Sequence, residues 1–538
     1  MPPEETAVAS PSSFHLLLRD GTVFDGLGHP PKVVDVGIAA GRIAAIGDLS
    51  MAQARQTVSA RGRYVAPGFI DIHTHSDLSV LRVPHMESSL AQGVTAEVFG
   101  NCGLSLGLAQ PSEEFSAERR WLERDGVELN WDGMGSFLRR IEDHGIAIHV
   151  ATLAGHGTLR KRILGNDARR PDPAELRTMQ RELARALDEG AIGLSSGLEY
   201  VPGMYADIPE MVALARVARE AGGFYATHLR DEGDTLEESV AEAIAVAEAA
   251  GIPLQLSHHK AERPRNWGKV VRTLAMVDQA RARGIDILLD QYPYTAYQTG
   301  LATIALPAWA ATGTPTAMQT RLSDAGERGR IREAMTGIDW SAVEIVNCAA
   351  HPEAQGKRIS ALSAASGKDP RDVVLDLLAD SDTFVSALHF AMSEEDVERV
   401  LRDDRVMVGS DAVASDPFGP GARDGIHPRT YGTFTRVFAR YVRERGLLTW
   451  EEAIRRMTSL PATRLGWSDR GRLTVGAHAD IVVFDPQHIR DAATFDAPHQ
   501  LAHGIEYVFV GGTLAFSGGV PTGARNGAVL RQRAVPAP

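Results

Sequence analysis

Gly68-Phe69-Ile70-Asp71-Ile72-His73-Thr74-His75-Ser76-Asp77 reads as a buried strand that runs out into two histidines. Phe69, Ile70 and Ile72 supply the apolar run, and Pro67 and Gly68 lead into it. Positions i and i+2 of an extended chain point to the same side. His73 and His75 can therefore offer both imidazoles to one metal ion. In a chain with eighteen histidines such a pair also arises on a surface by accident, so what the other strands present decides.

Outward from this stretch, apolar runs alternate with amphipathic helical patterns. Buried strands are expected at 69–73, 95–100, 147–153, 191–196, 224–228, 253–258, 285–290 and 406–410, with helices between them, as at 173–189 and 235–250. Eight such strands favour an α/β fold, a (β/α)8 TIM-type barrel, over an open sheet. Ser393-Glu394-Glu395-Asp396 carries a capping-box pattern that starts the helix before strand eight. Between strands seven and eight, residues 297–390 form a long insertion with apolar stretches of its own, placed over the barrel mouth.

The flanks read differently. Residues 14–66 and 467–530 hold short apolar runs broken by Asp-Gly and Gly-Arg turns. Two β-rich ends around one long middle predict a small β-sandwich domain built from both. The barrel then spans 67–466, with a disordered tail at 1–13 and a second tail at 531–538.

A chain of 538 residues is long enough for one large domain with satellites. Its 44% hydrophobic and 23% charged residues are ordinary for a soluble protein. The net charge of −13 argues against nucleic acid or an anionic membrane as partner. No apolar run reaches the roughly 18 residues that span a bilayer, and Met1 to Ser13 lacks the regions of a signal peptide, so cytoplasm is the default location. Two cysteines, Cys102 and Cys348, do not make a disulfide framework. With only six lysines, candidates for a lysine role are few.

Groups able to bind metal recur at the C-terminal ends of the expected strands, where barrel enzymes keep their chemistry. His73 and His75 follow strand one, and Cys102 follows strand two. Strand five ends at His228, strand six at His258-His259, and strand eight at Asp411. Each alone is more often a core histidine, a buried thiol or a capping carboxylate. Six at one end of one barrel point to a metal centre. Imidazole and thiolate suit zinc, which lowers the pKa of a bound water to about 7. Asp411 is placed to take that proton and pass it to a leaving amine.

The His-x-His, the histidines after strands five and six and the Asp after strand eight resemble the amidohydrolase superfamily. More narrowly, "APGFIDIHTHSD", "QGVTAEVFGNCGLS", "GHGTLR", "GLSSGLEYVPGMYA", "THLRDEGD", "LSHHK", "DQYPYTA", "VGSDA", "HPRTYGTF" and "MTSLPATRLG" resemble the D-aminoacylase (N-acyl-D-amino-acid deacylase) family. With the β-rich ends, the resemblance covers nearly the whole chain. It implies a zinc held tightly by Cys102, His228 and His258, with His73 and His75 forming a second, weaker position. Many amidohydrolases bridge two metals with a carboxylated lysine after strand four. Here Lys161 is the only lysine between Cys102 and His228 and falls in an expected loop before strand four, so Cys102 is implied as the bridging ligand. Glu199 is a candidate additional ligand, though a structural turn residue reads equally well. His258 is preferred over His259, because alternation lets only one of them face the metal and the family pattern favours the first.

Arg429 matches the arginine this family sets against the substrate carboxylate, and Lys260 and Tyr292 match positions lining the same pocket. Past the tyrosine loop the family places a small hydroxyl residue; this chain runs Thr295-Ala296-Tyr297-Gln298-Thr299 there, which leaves the side-chain pocket open. The implied activity is zinc-dependent hydrolysis of the amide bond of N-acyl-D-amino acids, with an N-acyl amino acid or short peptide as the small-molecule partner. A dipeptidase, a cyclic-amide hydrolase or a deaminase would use the same metal site. A non-catalytic scaffold is disfavoured because the metal-binding residues and the strand-eight Asp are all present.

Overall fold

The computed structural model describes residues 13–381, 384–419, 422 and 424–531; most of each expected tail lies outside them. Eight short strands run parallel: Phe69–Asp71, Val94–Phe99, His149–Thr152, Gly193–Gly197, Phe224–His228, Leu254–Leu256, Ile287–Gln291 and Val406–Val408. All their residues are buried, as strands covered by helices on one side and a filled interior on the other must be. The third is interrupted at Leu153 and resumes as Ala154–Gly155, which pairs with the fourth. Closure comes from the ends of strands one and eight. Asp411 N donates to His73 O at 2.8 Å and His75 N to Ala412 O at 2.7 Å, with Thr74 bridged to Ala412. The barrel is complete.

Helices Pro173–Asp188 and Leu236–Ala250 occupy the expected crossovers. Asp172 caps the former by accepting from Ala174 N and Glu175 N, which satisfies donors that the first helical turn leaves free. Ser393 likewise accepts from Asp396 N at 3.1 Å to start Glu394–Arg402. Among the described residues, no helix is long and apolar enough to cross a membrane.

Both chain ends build one nine-stranded sheet, in which Tyr64–Pro67 pairs with Ile481–Phe484. Its apolar cluster takes Leu16, Leu18, Val36, Ile38 and Val58 from one end and Ile481, Val483 and Phe509 from the other. The two layers of the expected sandwich are thus halves of a continuous hydrogen-bonded sheet that shares one core. Residues 527–530 leave it and reach the barrel, where Val150 N donates to Ala528 O and Leu530 N to Val150 O. Phe69 joins sheet, barrel and C-terminal helices: its ring centroid lies 5.9 Å from Phe434, 5.5 Å from Phe438 and 6.4 Å from Phe484. Truncating so buried a ring costs about 3–5 kcal/mol.

The insertion has its own antiparallel sheet, Tyr297–Gly300, Ser386–His389 and Val343–Asn347 in that order, and its own core around Leu301, Val343, Ile345 and Val374. It docks on the loops that leave the barrel strands. The Tyr297 hydroxyl donates to Glu262 Oε2 at 2.5 Å, His427 N to Gln298 Oε1 at 2.9 Å, and Gly425 N to Asn347 Oδ1 at 2.8 Å. It therefore covers the mouth.

Candidate metal centre

At the C-terminal end of the barrel, Cys102 Sγ lies 3.3 Å from His73 Nε2 and 3.4 Å from His258 Nε2. His228 Nδ1 and His258 Nε2 are 2.9 Å apart. Asp411 Oδ1 accepts from His75 Nε2 at 3.0 Å and lies 3.4 Å from His73 Nε2. The ligand atoms of His73, Cys102, His258 and Asp411 all fall within 4.8 Å of one another, as do those of His228, Glu232 and His258. The strands thus bring together all six groups expected there.

Local backbone explains how. Cys102, His258 and Asp411 have φ of 52°, 34° and 52°, left-handed values that cost a non-glycine residue roughly 1–3 kcal/mol each. Each bends its strand end so that the side chain turns inward. Gly103 follows Cys102 with φ 73°, and a Cβ there would stand 2.7 Å from Gly197 N. Only glycine lets the Cys102 loop pack against the end of strand four.

Three imidazoles keep one nitrogen on the cluster and the other on a carboxylate. His73 Nδ1 donates to Asp290 Oδ1 at 3.0 Å, His258 Nδ1 to Glu232 Oε1 at 3.1 Å, and His228 Nε2 to Glu199 Oε2 at 2.7 Å. Such partners fix the tautomer and orientation of metal-binding histidines. Glu199, which the sequence offers equally as a ligand or a turn residue, is the carboxylate on His228 Nε2. His259 turns away to Thr273 Oγ1 at 2.7 Å, and burial lowers its pKa to about 4. Lys161 sits not in a loop but in helix His156–Leu164, paired with Glu118 at 2.6 Å, and is no part of the cluster.

The charged groups of the cluster hold one another ionised. Burial favours the neutral thiol of Cys102, but His73 and His258 outweigh it and hold the thiolate far below its ordinary pKa. Burial opposes charge on His75 too, yet Asp411 and Cys102 raise its pKa to about 9. For Asp411, burial is overcome by Arg429 and His75, which keep the carboxylate ionised. Zinc bonds of about 2.0–2.3 Å set ligand atoms about 3.3–3.7 Å apart at the corners of a tetrahedron. The two contacts of Cys102 Sγ lie in that range, while the 2.9 Å between His228 Nδ1 and His258 Nε2 falls short of it; the thiolate and imidazole donors are of the type zinc takes.

Beside the cluster, Arg429 Nη1 stands 2.7 Å from Asp411 Oδ2, with the guanidinium 4.7 Å from the Tyr292 ring centroid. Lys260 Nζ is 5.9 Å from the same ring and paired with Glu232 Oε2 at 2.5 Å. Despite its burial, the Tyr292 hydroxyl has no hydrogen-bond partner among the described residues.

The sequence profile of the amidohydrolase family matches residues 56–516. The chain belongs to the amidohydrolase family. Within it, the chain falls in the D-aminoacylase branch. It is 41% identical to N-acyl-D-glutamate deacylase of Alcaligenes xylosoxydans xylosoxydans, over 96% of this chain and 97% of the relative. Identity to the D-aminoacylase of that organism is 36%, over 97% and 98%. The crystal structure of N-acyl-D-glutamate deacylase from Bordetella bronchiseptica, complexed with zinc and a phosphonate mimic of the tetrahedral intermediate, matches with a TM-score of 0.83. Identity there is 36%, covering 96% of this chain and 100% of that one. A D-aminoacylase structure described as having a binuclear metal centre, with one-metal activation and second-metal attenuation, matches at 0.82 and 34% identity, over 96% and 100%.

For this amidohydrolase, sequence reasoning missed Glu232 and Asp290. Both lie in stretches that carry the family resemblance, "THLRDEGD" and "DQYPYTA". Glu232 follows His228 by four residues, and Asp290 precedes Tyr292 by two; an acidic residue beside a histidine or tyrosine already assigned was the available signal.

Proposed function

We propose that this protein is a zinc-dependent N-acyl-D-amino-acid deacylase, which hydrolyses a linear amide to a carboxylate and a free D-amino acid. One observation carries it: Asp411 faces a thiolate–imidazole cluster with Oδ1 and a buried arginine with Oδ2. Chemistry on an amide and recognition of an anion then meet at one carboxylate. The D configuration follows the relatives.

Cys102, His228 and His258 would hold the tight zinc, and His73 and His75, with Cys102 shared, a weaker second position. Zinc held there supplies a Lewis acid for the amide oxygen and acidifies a water. Asp411 accepts the proton of the attacking water and returns it to the leaving nitrogen. Arg429 presents its planar fork to the substrate carboxylate, while Lys260 and the unpartnered Tyr292 hydroxyl complete that end. The insertion closes over the mouth and keeps bulk water from the reacting amide.

The test is turnover of paired D- and L-N-acetyl amino acids, with acidic, apolar and basic side chains, by purified zinc-loaded protein, reading released amine. Hydrolysis of a D series is expected. Cleavage of dipeptides or cyclic amides alone would replace this function with another on the same centre.

A further inference from the structure

The proposed base and the proposed carboxylate anchor hold each other. Asp411 divides its oxygens: Oδ1 lies 3.0 Å from His75 Nε2, and Oδ2 lies 2.7 Å from Arg429 Nη1. Both side chains are buried, with Arg429 lying over Tyr292. The contact is short but poorly aligned, since among the described residues Nη1 meets no acceptor at a hydrogen-bonding angle. A misaligned pair yields to a better acceptor. A free carboxylate can take two parallel, charge-assisted hydrogen bonds from the same guanidinium, and the idle Tyr292 hydroxyl offers it another donor.

We propose that Asp411 and the substrate carboxylate exchange places on Arg429, so that the arriving carboxylate releases Oδ2 for proton transfer. This rests on the deacylase function above. While Arg429 lies 2.7 Å from Oδ2, the guanidinium stands in the way of a water approaching that oxygen. Once the substrate carboxylate takes the guanidinium, Oδ1 stays on the cluster and Oδ2 is free. The substrate thus completes the base it needs. Amides without a carboxylate leave the pair closed, and selectivity against them falls on kcat as well as on KM.

The experiment compares a good N-acetyl-D-amino acid with the N-acetyl amine in which hydrogen replaces the carboxylate. Wild-type kcat should fall on the order of 10²-fold on the amine, the scale of a lost general base. Sodium formate, against sodium chloride at equal ionic strength, should restore about 10-fold of that by occupying Arg429. Arg429→Gln should hydrolyse the carboxylate-free amide about 10-fold faster than wild type, the same release of the base that formate gives, without response to formate, while losing the acyl amino acid. Arg429→Lys should fall between. Arg429→Gln no faster than wild type on that amide, at equal zinc content and melting temperature, overturns the exchange; so does formate acting no better than chloride. The formate arm needs no variant and decides the matter if Arg429→Gln does not fold. A wild-type protein silent on every N-acyl-D-amino acid overturns the deacylase function, and the exchange with it.

Discussion

Nδ1 of His73 and Oδ1 of Asp290 meet at 3.0 Å beneath the candidate metal centre. The same oxygen accepts from His258 N at 2.7 Å, and Oδ2 from Gln255 Nε2 at 2.6 Å. One carboxylate thus orients a ring from strand one and the backbone of strand six. Asp290→Asn should weaken zinc binding about 10–100-fold, measured by competition with a chromophoric chelator. Unchanged affinity would remove Asp290 from this role.

Glu232 ties the candidate centre to the proposed substrate end, with His258 Nδ1 on one oxygen and Lys260 Nζ on the other. Burial works against the charge on Lys260, and Glu232 overcomes it, holding the amine protonated. Glu232→Gln removes the carboxylate that neutralises that buried charge and leaves it the His258 carbonyl at 3.1 Å, and should destabilise the fold by about 3–5 kcal/mol in urea unfolding. Adding Lys260→Met should recover much of the loss, because removing both partners of a buried pair is near neutral. Turnover should stay low in both.

Cys102→Ala and Asp411→Asn should separate. The first removes the donor that both His73 and His258 face, so zinc content falls, read by elemental analysis. In the second, zinc is kept and turnover drops at least ~10²-fold, as general-base loss does. A Cys102→Ala protein with full zinc and wild-type rate would end the ligand assignment.

Asp480 fastens the small sheet to the barrel. It accepts from His149 Nε2 at 3.1 Å and Gly511 N at 2.8 Å, and pairs with Arg470. Burial would raise its pKa, but His149 and Arg470 outweigh that and hold it well below the usual range. The folded value lies beneath the unfolded one of about 3.9. Its contribution is therefore complete above the unfolded value and is lost as pH falls through the folded one. Asp480→Asn should destabilise by about 3 kcal/mol near neutral pH, with the gap from wild type closing in acid, followed by urea unfolding at several pH values.

What was legible in the sequence follows the range of each signal. Phe224–His228 matches its expected bounds, because a strand buried on both faces is written in consecutive residues. The candidate ligands were legible because each stands at or within four residues past the end of such a strand. Asp290 and Glu232 were not, since an acidic residue in "ILLDQ" or "RDEGD" reads as a cap or turn until folding sets a histidine against it. The split at Leu153 and the return of residues 527–530 to the barrel depend on pairings distant in sequence, which leave no local pattern.

The sheet built from both chain ends has a consequence for synthesis. Tyr64–Pro67 pairs with Ile481–Phe484, so its partner strand is made about 400 residues later. At about 5–20 residues per second the nascent chain waits about 20–80 s with that strand edge open. An unpaired edge invites pairing with other chains, so this protein's yield in a cell should depend on what shields its first strands while the barrel is still being made.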